Sequence, residues 1–196
     1  MIKRFFDIVF SFFGLLILLP ILLIIAIGIK LESKGAVFYR QTRVGRHNQN
    51  FKIFKFRTMF VGSDNKGLLT LGDNDNRVTK IGYYLRKYKL DELPQLINVL
   101  IGNMSFVGPR PEVRKYVDYY SEDDLQIFKI KPGITDYASI AFRNEAELLK
   151  VATDPEKLYV EDIMPKKIAL NKKYLNNNSL IADIKIIIKT ILIIIR

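Results

Sequence analysis

The feature that most constrains this chain is an apolar run without a single charged residue, over residues 8–29 near the N-terminus. A helix of that length rises about 33 Å, which is enough to cross the hydrocarbon core of a bilayer. The run is longer than the apolar core of a cleaved signal peptide, and no small-residue cleavage site follows it. The chain therefore carries a segment that can enter a membrane as a helix.

Two membrane arrangements fit this run. A single spanning helix satisfies its length, whereas a re-entrant helix would break near Pro20 and return to the same face. Pro20 removes a backbone hydrogen bond and favours a kink. Basic residues flank both ends, Lys3 and Arg4 before the run and Lys30 and Lys34 after it, and the positive-inside tendency then directs both ends to the cytoplasm. These observations favour the re-entrant helix, although the sequence does not name partners for the backbone groups freed at the break.

The composition narrows the chemistry. No cysteine is present, which excludes disulfides and thiolate metal sites, and the single histidine, His47, excludes multi-histidine zinc sites. Of the net charge of +11, residues 30–57 supply +7, with eight Lys or Arg against one Glu. Such a basic segment suits nucleic acid, anionic lipid or a phosphorylated substrate, and the adjacent apolar run favours the last two. Chemistry must then rest on carboxylates, cationic side chains, hydroxyls and an oxygen-bound metal such as Mg²⁺.

One stretch of the chain concentrates groups suited to phosphate. Asp91 and Glu92 are adjacent carboxylates, with Arg86 before them and Arg110 held between two prolines after them. Pro94 fits the first turn of a helix, where it loses no hydrogen bond. The pair is therefore predicted to lie at a helix N-terminus, where unpaired N–H groups favour anions. Ordinary helix capping alone also explains such a pair.

The remaining patterns predict an α+β chain that is mostly helical and has one small β-hairpin. Aromatic and β-branched residues on both sides of a turn-rich stretch indicate the hairpin. Helices are predicted from apolar spacing, and a mobile surface loop where Gly, Asp, Asn and Ser cluster. The predicted elements are the hairpin over 36–40 and 51–56, the loop over 62–76, and helices over 77–90, 91–100, 112–130 and 154–175, the last with a break at Pro165.

The C-terminal tail, residues 180–196, is apolar with a sparse basic stripe. On a helical wheel at 100° per residue Lys185, Lys189 and Arg196 fall close together, and Asp183 lies on the opposite side. A final helix packed on the core is one interpretation. A helix lying in the membrane interface, with its lysines at the headgroups, is the one that we favour.

Five motifs occur in an order that resembles bacterial sugar transferases, the small monotopic phosphoglycosyl transferases. The resemblance covers nearly the whole chain and is strongest over residues 30–143. The motifs are Phe38-Tyr39-Arg40-Gln41 with Val44-Gly45, Lys55-Phe56-Arg57-Thr58-Met59, Asp91-Glu92-Leu93-Pro94, Gly108-Pro109-Arg110-Pro111, and Pro132-Gly133-Ile134-Thr135 followed by Arg143-Asn144.

The resemblance implies a topology and an activity. Residues 1–30 would form a re-entrant membrane helix, and residues 31–196 a catalytic domain on the cytoplasmic face of a bacterial inner membrane. The domain would transfer a sugar 1-phosphate from a UDP-sugar to polyprenyl (undecaprenyl) phosphate and release UMP, which initiates capsule, lipopolysaccharide, exopolysaccharide or glycoprotein glycan synthesis. Anionic membrane lipids would be further partners, nucleic acid would not, and a homodimer is left open.

The same resemblance assigns roles to individual residues. Asp91 would be the nucleophile that forms a covalent aspartyl-phosphosugar, and Glu92, with Asp91, would hold Mg²⁺, with Mn²⁺ as the alternative metal. Arginines would complete the phosphate pocket, although a surface ion pair is the alternative for all but Arg110. These arginines are Arg57, Arg86, Arg110 and Arg143.

Two points stay open at this stage. The family's usual Thr-Gly-Trp-Ala-Gln stretch is replaced here by Thr135-Asp136-Tyr137-Ala138-Ser139, and its usual Gly by Phe142. The sugar is therefore not fixed, but the small core resembles the family members that use N-acetylated, often modified, amino sugars, and this resemblance favours such a donor. The rival hypothesis is a non-catalytic, membrane-anchored basic binding protein, which explains residues 30–57 but not the carboxylate and proline motifs.

Overall fold

The computed structural model describes residues 2–63 and 75–195, and its first element is the apolar helix α1, Ile2–Glu32. Among the described residues, α1 is the one helix whose length and composition would allow it to cross a membrane. It continues through Pro20 without leaving the helical conformation, so the predicted break does not interrupt the helix there. Proline removes only one backbone N–H, and the other hydrogen bonds of the helix can persist. The re-entrant topology itself stays a prediction.

The predicted hairpin is confirmed and is longer than expected. Strands β1, Phe38–Val44, and β2, Asn50–Phe56, pair along their whole length in antiparallel register. The connection between them includes His47 in the left-handed region, at φ 57°. This conformation lets the chain reverse within a short turn. Of the predicted loop over 62–76, residues 64–74 lie outside the described part of the chain.

The carboxylate motif does not begin an α-helix as predicted. Helix α2 covers Lys80–Lys87, a 3₁₀ turn covers Leu90–Glu92, and helix α3 covers Gln95–Ile101. Lys89 adopts a left-handed conformation, at φ 55°, which ends the helical run and starts the tight turn. The carboxylates therefore lie in the turn before α3. The predicted end of the helix at Gly102 is confirmed, with φ 95° at that glycine.

A short parallel strand pair, absent from the sequence predictions, joins the middle of the chain to its late motif. Strand β3 covers Ser105–Val107 and strand β4 covers Gly133–Thr135. Three-residue strands give no usable alternation, and the pairing joins segments far apart in sequence. It brings the segment that carries Arg110 next to the late motif.

The predicted helix over 112–130 is wrong as a single element. The structure has helix α4, Arg114–Val117, and a 3₁₀ helix, Asp124–Lys129, with a turn between them. In that turn the Ser121 hydroxyl and backbone N–H both donate to Asp124 Oδ2, at 2.7 and 3.0 Å. Short polar side chains that satisfy nearby backbone groups compete with a continuous helix.

The C-terminal third is helical, as predicted for residues 154–175. A π-helical turn ends at Ile163, two residues before the predicted break at Pro165, and Pro165 lies in the first turn of the next helix, where its missing N–H loses no hydrogen bond. The elements are helices α5, Tyr137–Ala141, α6, Glu145–Val151, α7, Pro155–Leu158, the π turn Tyr159–Ile163, α8, Met164–Asn176, and α9, Leu180–Ile195.

The tail helix α9 packs on the core, which is one of the two interpretations of the sequence. Its inner face packs on the core through Asp183 and Ile186, which are 5% and 1% exposed. Its outer face exposes apolar side chains such as Ile188 and Leu192. The charge on Asp183 thus turns inward, while the side chains of Lys185 and Lys189 are exposed. Contact with a membrane interface stays a prediction.

One buried side chain fixes α3 to the hairpin. The amide of Asn98, fully buried, accepts from Phe54 N at 2.8 Å and donates to Lys52 O at 2.9 Å. Below this link Ile53, Val99 and Met104 form a shared apolar cluster. The turn that precedes α3 is thereby held against strand β2.

Candidate active site

The two carboxylates form the centre of the site, at the junction of the 3₁₀ turn with strand β2. Glu92 accepts hydrogen bonds from Lys55 Nζ, at 2.9 Å, and from both terminal nitrogens of Arg110. Its side chain is 13% exposed. A buried carboxylate that receives two cations is held in one orientation, because each of its oxygens is bonded.

The neighbouring carboxyl groups have opposite pKa shifts. Burial, followed by the charge of Glu92, raises the pKa of Asp91, and the nearby cations Lys55 and Arg86 offset this only in part. Burial also acts to raise the pKa of Glu92, but Arg110 and Lys55 overcome it and hold that pKa well below its ordinary value. Such a divergence is typical of functional carboxylate pairs.

Lys55 is a member of this site that the sequence reasoning did not assign. Burial lowers the pKa of its ammonium group, and the charge of Glu92 opposes that shift. The available signal was its position between Phe54 and Phe56, since a cation that packs among apolar neighbours requires a counter-ion. The motif that contains Lys55 was identified, but only Arg57 was carried forward from it.

The Arg110 segment is held from two sides. Arg110 N donates to Asp136 Oδ2 at 3.0 Å, and Gly133 N donates to Pro109 O at 3.1 Å. Asp136 is fully buried and also caps helix α5 by accepting from Ser139 N at 2.5 Å. The departure from the usual motif at Asp136 therefore supplies a fixed acceptor for the Arg110 backbone. The charge of Glu92 raises the pKa of the Arg110 guanidinium, so it remains a cation.

The structure places Arg57 away from the carboxylates, at the C-terminal end of α1. Its guanidinium donates to the carbonyl oxygens of Ile29, Ser33 and Lys34, at 3.3, 2.7 and 3.0 Å. The last carbonyls of a helix have no partner within it, and a cation there also complements the helix dipole. In this arrangement Arg57 fixes α1 to strand β2, while phosphate binding by Arg57 stays a prediction.

The other two predicted arginines differ in their relation to the carboxylates. Arg86 is half-buried and its charge acts on Asp91. Arg143 is exposed, and no hydrogen bond links it to Asp91 or Glu92 within the described residues. The fold thus brings together Asp91, Glu92, Arg86 and Arg110, and leaves Arg57 and Arg143 outside the immediate cluster.

The donor set fits a magnesium ion that shares its ligands with a substrate. Asp91 and Glu92 offer carboxylate oxygens, but both oxygens of Glu92 already accept from cations. Across residues 2–63 and 75–195, the structure forms no group of three or more His, Cys, Asp or Glu suited to a metal. Mg²⁺ commonly takes one or two carboxylates and completes its shell with water and phosphate oxygens. The Mg²⁺ prediction is compatible with this pair on those terms.

The fold and the site together define an α+β protein with a helix of membrane length and a carboxylate pair surrounded by cations, suited to anionic phosphate groups. The chain belongs to the bacterial sugar transferase family, whose model matches residues 1–196. This confirms the family that the five motifs indicated.

Curated relatives resemble the chain over nearly all its length. It is 40% identical over 195 residues to the UDP-glucose:undecaprenyl-phosphate glucose-1-phosphate transferase of Escherichia coli (strain K12), covering 97% of this chain and 39% of that protein. It is 37% identical over 193 residues to the UDP-N-acetylgalactosamine-undecaprenyl-phosphate N-acetylgalactosaminephosphotransferase of Aeromonas hydrophila, covering 97% and 43%. A sugar transferase of Bacillus subtilis (strain 168), EpsL, is 36% identical over 190 residues, with 97% and 85% covered. The chain spans about two fifths of the length of the first two relatives.

Proposed function

We propose that this chain transfers a sugar 1-phosphate from a UDP-sugar to undecaprenyl phosphate, with Asp91 as the nucleophile. The observation that carries the proposal is the half-buried Asp91–Glu92 pair among cations, in a chain whose relatives are named as transferases between these two substrate classes. The product, a polyprenyl diphosphate sugar, would initiate a bacterial polysaccharide, lipopolysaccharide or other glycoconjugate.

The reaction takes place in two displacements at one phosphorus atom. First, a carboxylate oxygen of Asp91 attacks the β-phosphorus of the UDP-sugar, and the bond from that phosphorus to the bridging oxygen breaks. UMP leaves with the electron pair, and the sugar phosphate remains as an acyl phosphate on Asp91. Second, an oxygen of undecaprenyl phosphate attacks the same phosphorus, the acyl–phosphate bond breaks, and Asp91 returns as a carboxylate.

The other site residues supply charge and orientation. Lys55 and Arg110, both bonded to Glu92, would stabilise the negative charge that develops on the diphosphate. Arg110 offers a planar fork that suits two phosphate oxygens. Mg²⁺, held by Glu92 and Asp91, would neutralise diphosphate charge and favour departure of UMP when bound. Burial of Asp91 leaves its carboxylate poorly solvated and therefore reactive once ionised.

The proposal also includes a cellular location and a membrane topology. We expect α1 to be re-entrant, so that the catalytic domain lies on the cytoplasmic face of the inner membrane, where UDP-sugars are made. The exposed basic residues within 30–57 would face anionic lipid headgroups, and the outer face of α9 would lie in the interface. These basic residues are Lys30, Lys34, Arg40, Arg46 and Lys52. Contacts from both ends of α1 to one domain support this arrangement.

Asp91→Asn tests the nucleophile directly. We expect the purified variant, mixed with Mg²⁺, undecaprenyl phosphate and UDP-sugars, to release UMP at least 10³-fold more slowly than wild type, because an amide cannot form the acyl phosphate. Asp118→Asn is the matched control, since Asp118 is exposed at the end of α4. Near wild-type release by Asp91→Asn would remove the nucleophile assignment.

A panel of donors extends this assay to the sugar and to the rival hypothesis. UDP-glucose, UDP-N-acetylgalactosamine and UDP-N-acetylglucosamine are the first probes, because curated relatives differ in their named donor. Incubation without acceptor, followed by intact-protein mass spectrometry, should reveal wild-type protein carrying one sugar phosphate. Absence of UMP release with every donor would favour the membrane-anchored binding protein instead.

A further inference from the structure

A second polar network lies behind the carboxylate site, on the side where helices α6 to α8 meet the segment after Arg110. Its members are ionisable, half-buried or buried, and linked one to the next by hydrogen bonds or ion pairs. None of them belongs to the predicted site residues. We call this the supporting network, and its members are Arg43, Glu112, Tyr159, Lys167 and Glu145.

Tyr159 is the central member of the supporting network. Its hydroxyl donates to Glu112 Oε2, and Lys167 Nζ lies 3.5 Å from the hydroxyl oxygen. The same ammonium lies 5.1 Å from the centre of the tyrosine ring and 2.8 Å from Glu145 Oε2. The tyrosine is 3% exposed. Its polar end is therefore enclosed by one carboxylate and one paired cation.

The other oxygen of Glu112 connects the supporting network to the Arg110 segment. Glu112 Oε1 accepts from Val113 N at 2.8 Å and lies 3.4 Å from Arg43 Nη1. The same Arg43 nitrogen donates to Pro111 O at 3.2 Å. Strand β1 adds a backbone bond, from Val44 N to Glu112 O, at 2.8 Å. The residue directly after Arg110 is thus fixed by Arg43, whose counter-ion is Glu112.

The charges explain why this support is needed. Burial lowers the pKa of Arg43, and the nearby positive charge of Arg110 adds to that effect, while Glu112 opposes it. Burial and the charge of Glu112 raise the pKa of Tyr159 far above its ordinary value. Its hydroxyl therefore keeps its proton and can donate to Glu112 across the physiological range. Arg43 and Arg110 can lie near each other because the oriented carboxylate of Glu112 stands beside Arg43.

Local backbone structure places Tyr159 at this position. It begins the π turn Tyr159–Ile163, which inserts an extra residue between α7 and α8. Tyr159, Ile163 and Met164 all face one apolar cluster with Val113. Single π turns are uncommon and recur at functional sites. Here the turn lets the ring pack in the core while the hydroxyl reaches Glu112.

We propose that Tyr159 is a positioning residue for phosphosugar transfer, which holds Glu112, and through it Arg43, so that the Arg110 segment meets the diphosphate in a fixed orientation. This inference rests on the proposed function, in which Arg110 binds phosphate. Tyr159 itself contacts neither the carboxylate pair nor, on this proposal, the substrate. It acts through two bonded neighbours, Glu112 and then Arg43.

Tyr159→Phe removes only the hydroxyl and retains the packed ring. We expect the Kd of UDP, measured by isothermal titration calorimetry, and the KM of the UDP-sugar to rise five- to tenfold, since a charged hydrogen bond in the supporting network is lost. The KM of undecaprenyl phosphate should stay within twofold. Tyr116→Phe is the matched control, because that ring is also 3% exposed and lies 4.7 Å from the Tyr159 ring. The Tyr116 hydroxyl makes no hydrogen bond to any residue that the structure describes. The Kd of UDP and the KM of the UDP-sugar should therefore not change in this control.

A double variant separates positioning from general stability. If Tyr159 acts through Glu112, the Tyr159→Phe/Glu112→Gln protein should bind UDP no more weakly than Glu112→Gln alone, whereas independent structural effects would add. Glu112→Gln alone also serves if Tyr159→Phe does not fold, and it should show the same rise in donor constants. Melting temperatures are recorded for all variants.

The outcomes are distinguishable from those of the proposed function. The positioning role would be overturned if Tyr159→Phe turned over at the wild-type rate with an unchanged Kd of UDP and KM of the UDP-sugar. Additive losses of UDP binding in the double variant would also overturn it. Both results would leave the transferase proposal intact. Failure of wild-type protein to bind UDP would overturn both. UDP binding that weakens in Tyr159→Phe would support the positioning role even if no donor in the panel is turned over.

Discussion

Asp91 and Glu92 are neighbours in sequence, yet the fold gives their carboxyl groups opposite pKa shifts. Glu92 receives both Lys55 and Arg110, while Asp91 receives burial and the negative charge of Glu92. Lys55 and Arg110 therefore stabilise the ionised form of Glu92, the residue expected to hold the metal. Burial leaves Asp91, the expected nucleophile, less solvated. Ionising Asp91 in the folded protein costs stability, which is the usual trade-off at a reactive site.

The raised pKa of Asp91 predicts the acid side of the pH profile. Asp91 attacks only as a carboxylate, so activity should be complete above its pKa and decline as the pH falls through it. As the pH is lowered, we expect kcat/KM for UMP release to begin to decline while the pH is still above 3.8, the ordinary pKa of aspartate. Melting temperatures across the same range control for unfolding. A profile that stays flat to below that value in the folded protein would contradict the assignment.

At the scale of elements, helix α9 is fixed to the rest of the fold by polar groups along an otherwise apolar helix. Asp183 accepts from Lys3 Nζ at 2.6 Å and from the hydroxyl of Tyr174, which is 1% exposed. Further along, the hydroxyls of Thr190 and Thr135 lie 2.7 Å apart. The last helix therefore contacts both the start of α1 and strand β4.

Asp183→Ala should destabilise the protein, because it leaves the buried Tyr174 hydroxyl without its carboxylate acceptor. We expect a loss of about 2 kcal/mol and a fall in melting temperature of about 4–8 °C, measured in detergent or nanodiscs. Asp162→Ala is the matched control, since Asp162 pairs with Lys166 on an exposed helix face. Such surface pairs contribute under about 0.5 kcal/mol. Equal falls in melting temperature in Asp183→Ala and Asp162→Ala would show that Asp183 contributes no more to stability than an exposed ion pair.

At the scale of the whole molecule, helix α1 is attached at both ends to the rest of the fold. Near its start, Arg4 donates to Val99 O and Leu100 O, at 2.6 and 2.8 Å. Near its end, Ile29 is buried in a cluster with Phe56. Because both contacts are made to the same body of the fold, they favour the prediction that the two ends of α1 meet the same face of a membrane. The middle of the helix is left as the exposed apolar surface that would enter the lipid.

Thiol labelling tests this topology, since the native chain has no cysteine. We would introduce cysteines in place of Ile2 and Lys34, which are exposed at the two ends of α1. Lys34 is preferable to its neighbour Ser33, because the Ser33 hydroxyl accepts a hydrogen bond from Arg57. With an impermeant maleimide on intact cells, we expect both to be protected and both to react after lysis. Cysteine at Val151, 83% exposed in the catalytic domain, is the reference for the cytoplasmic face. Labelling of position 2 alone in intact cells would establish a spanning helix.

The sequence by itself determined the features that depend on residues a few positions apart. The apolar helix, the hairpin, the helix end at Gly102 and the irregular turn at Pro165 follow from periodicity and local backbone preferences. The carboxylate pair could also be identified, because it lies within one motif. The division of residues 112–130 was missed, although Ser121 and Asp124 carried a local signal for it.

Only the tertiary structure decided which distant charges meet. Lys55 and Glu92 are 37 residues apart, and Lys3 and Asp183 are 180 apart. Arg57 bonds the end of α1 instead of the carboxylates, and Tyr159 reaches Glu112 through a π turn. Each pairing depends on burial, which makes an unpartnered charge or hydroxyl costly and so selects the partner that packing brings near. Local sequence patterns specify the groups that need partners, and the packed fold specifies the partners.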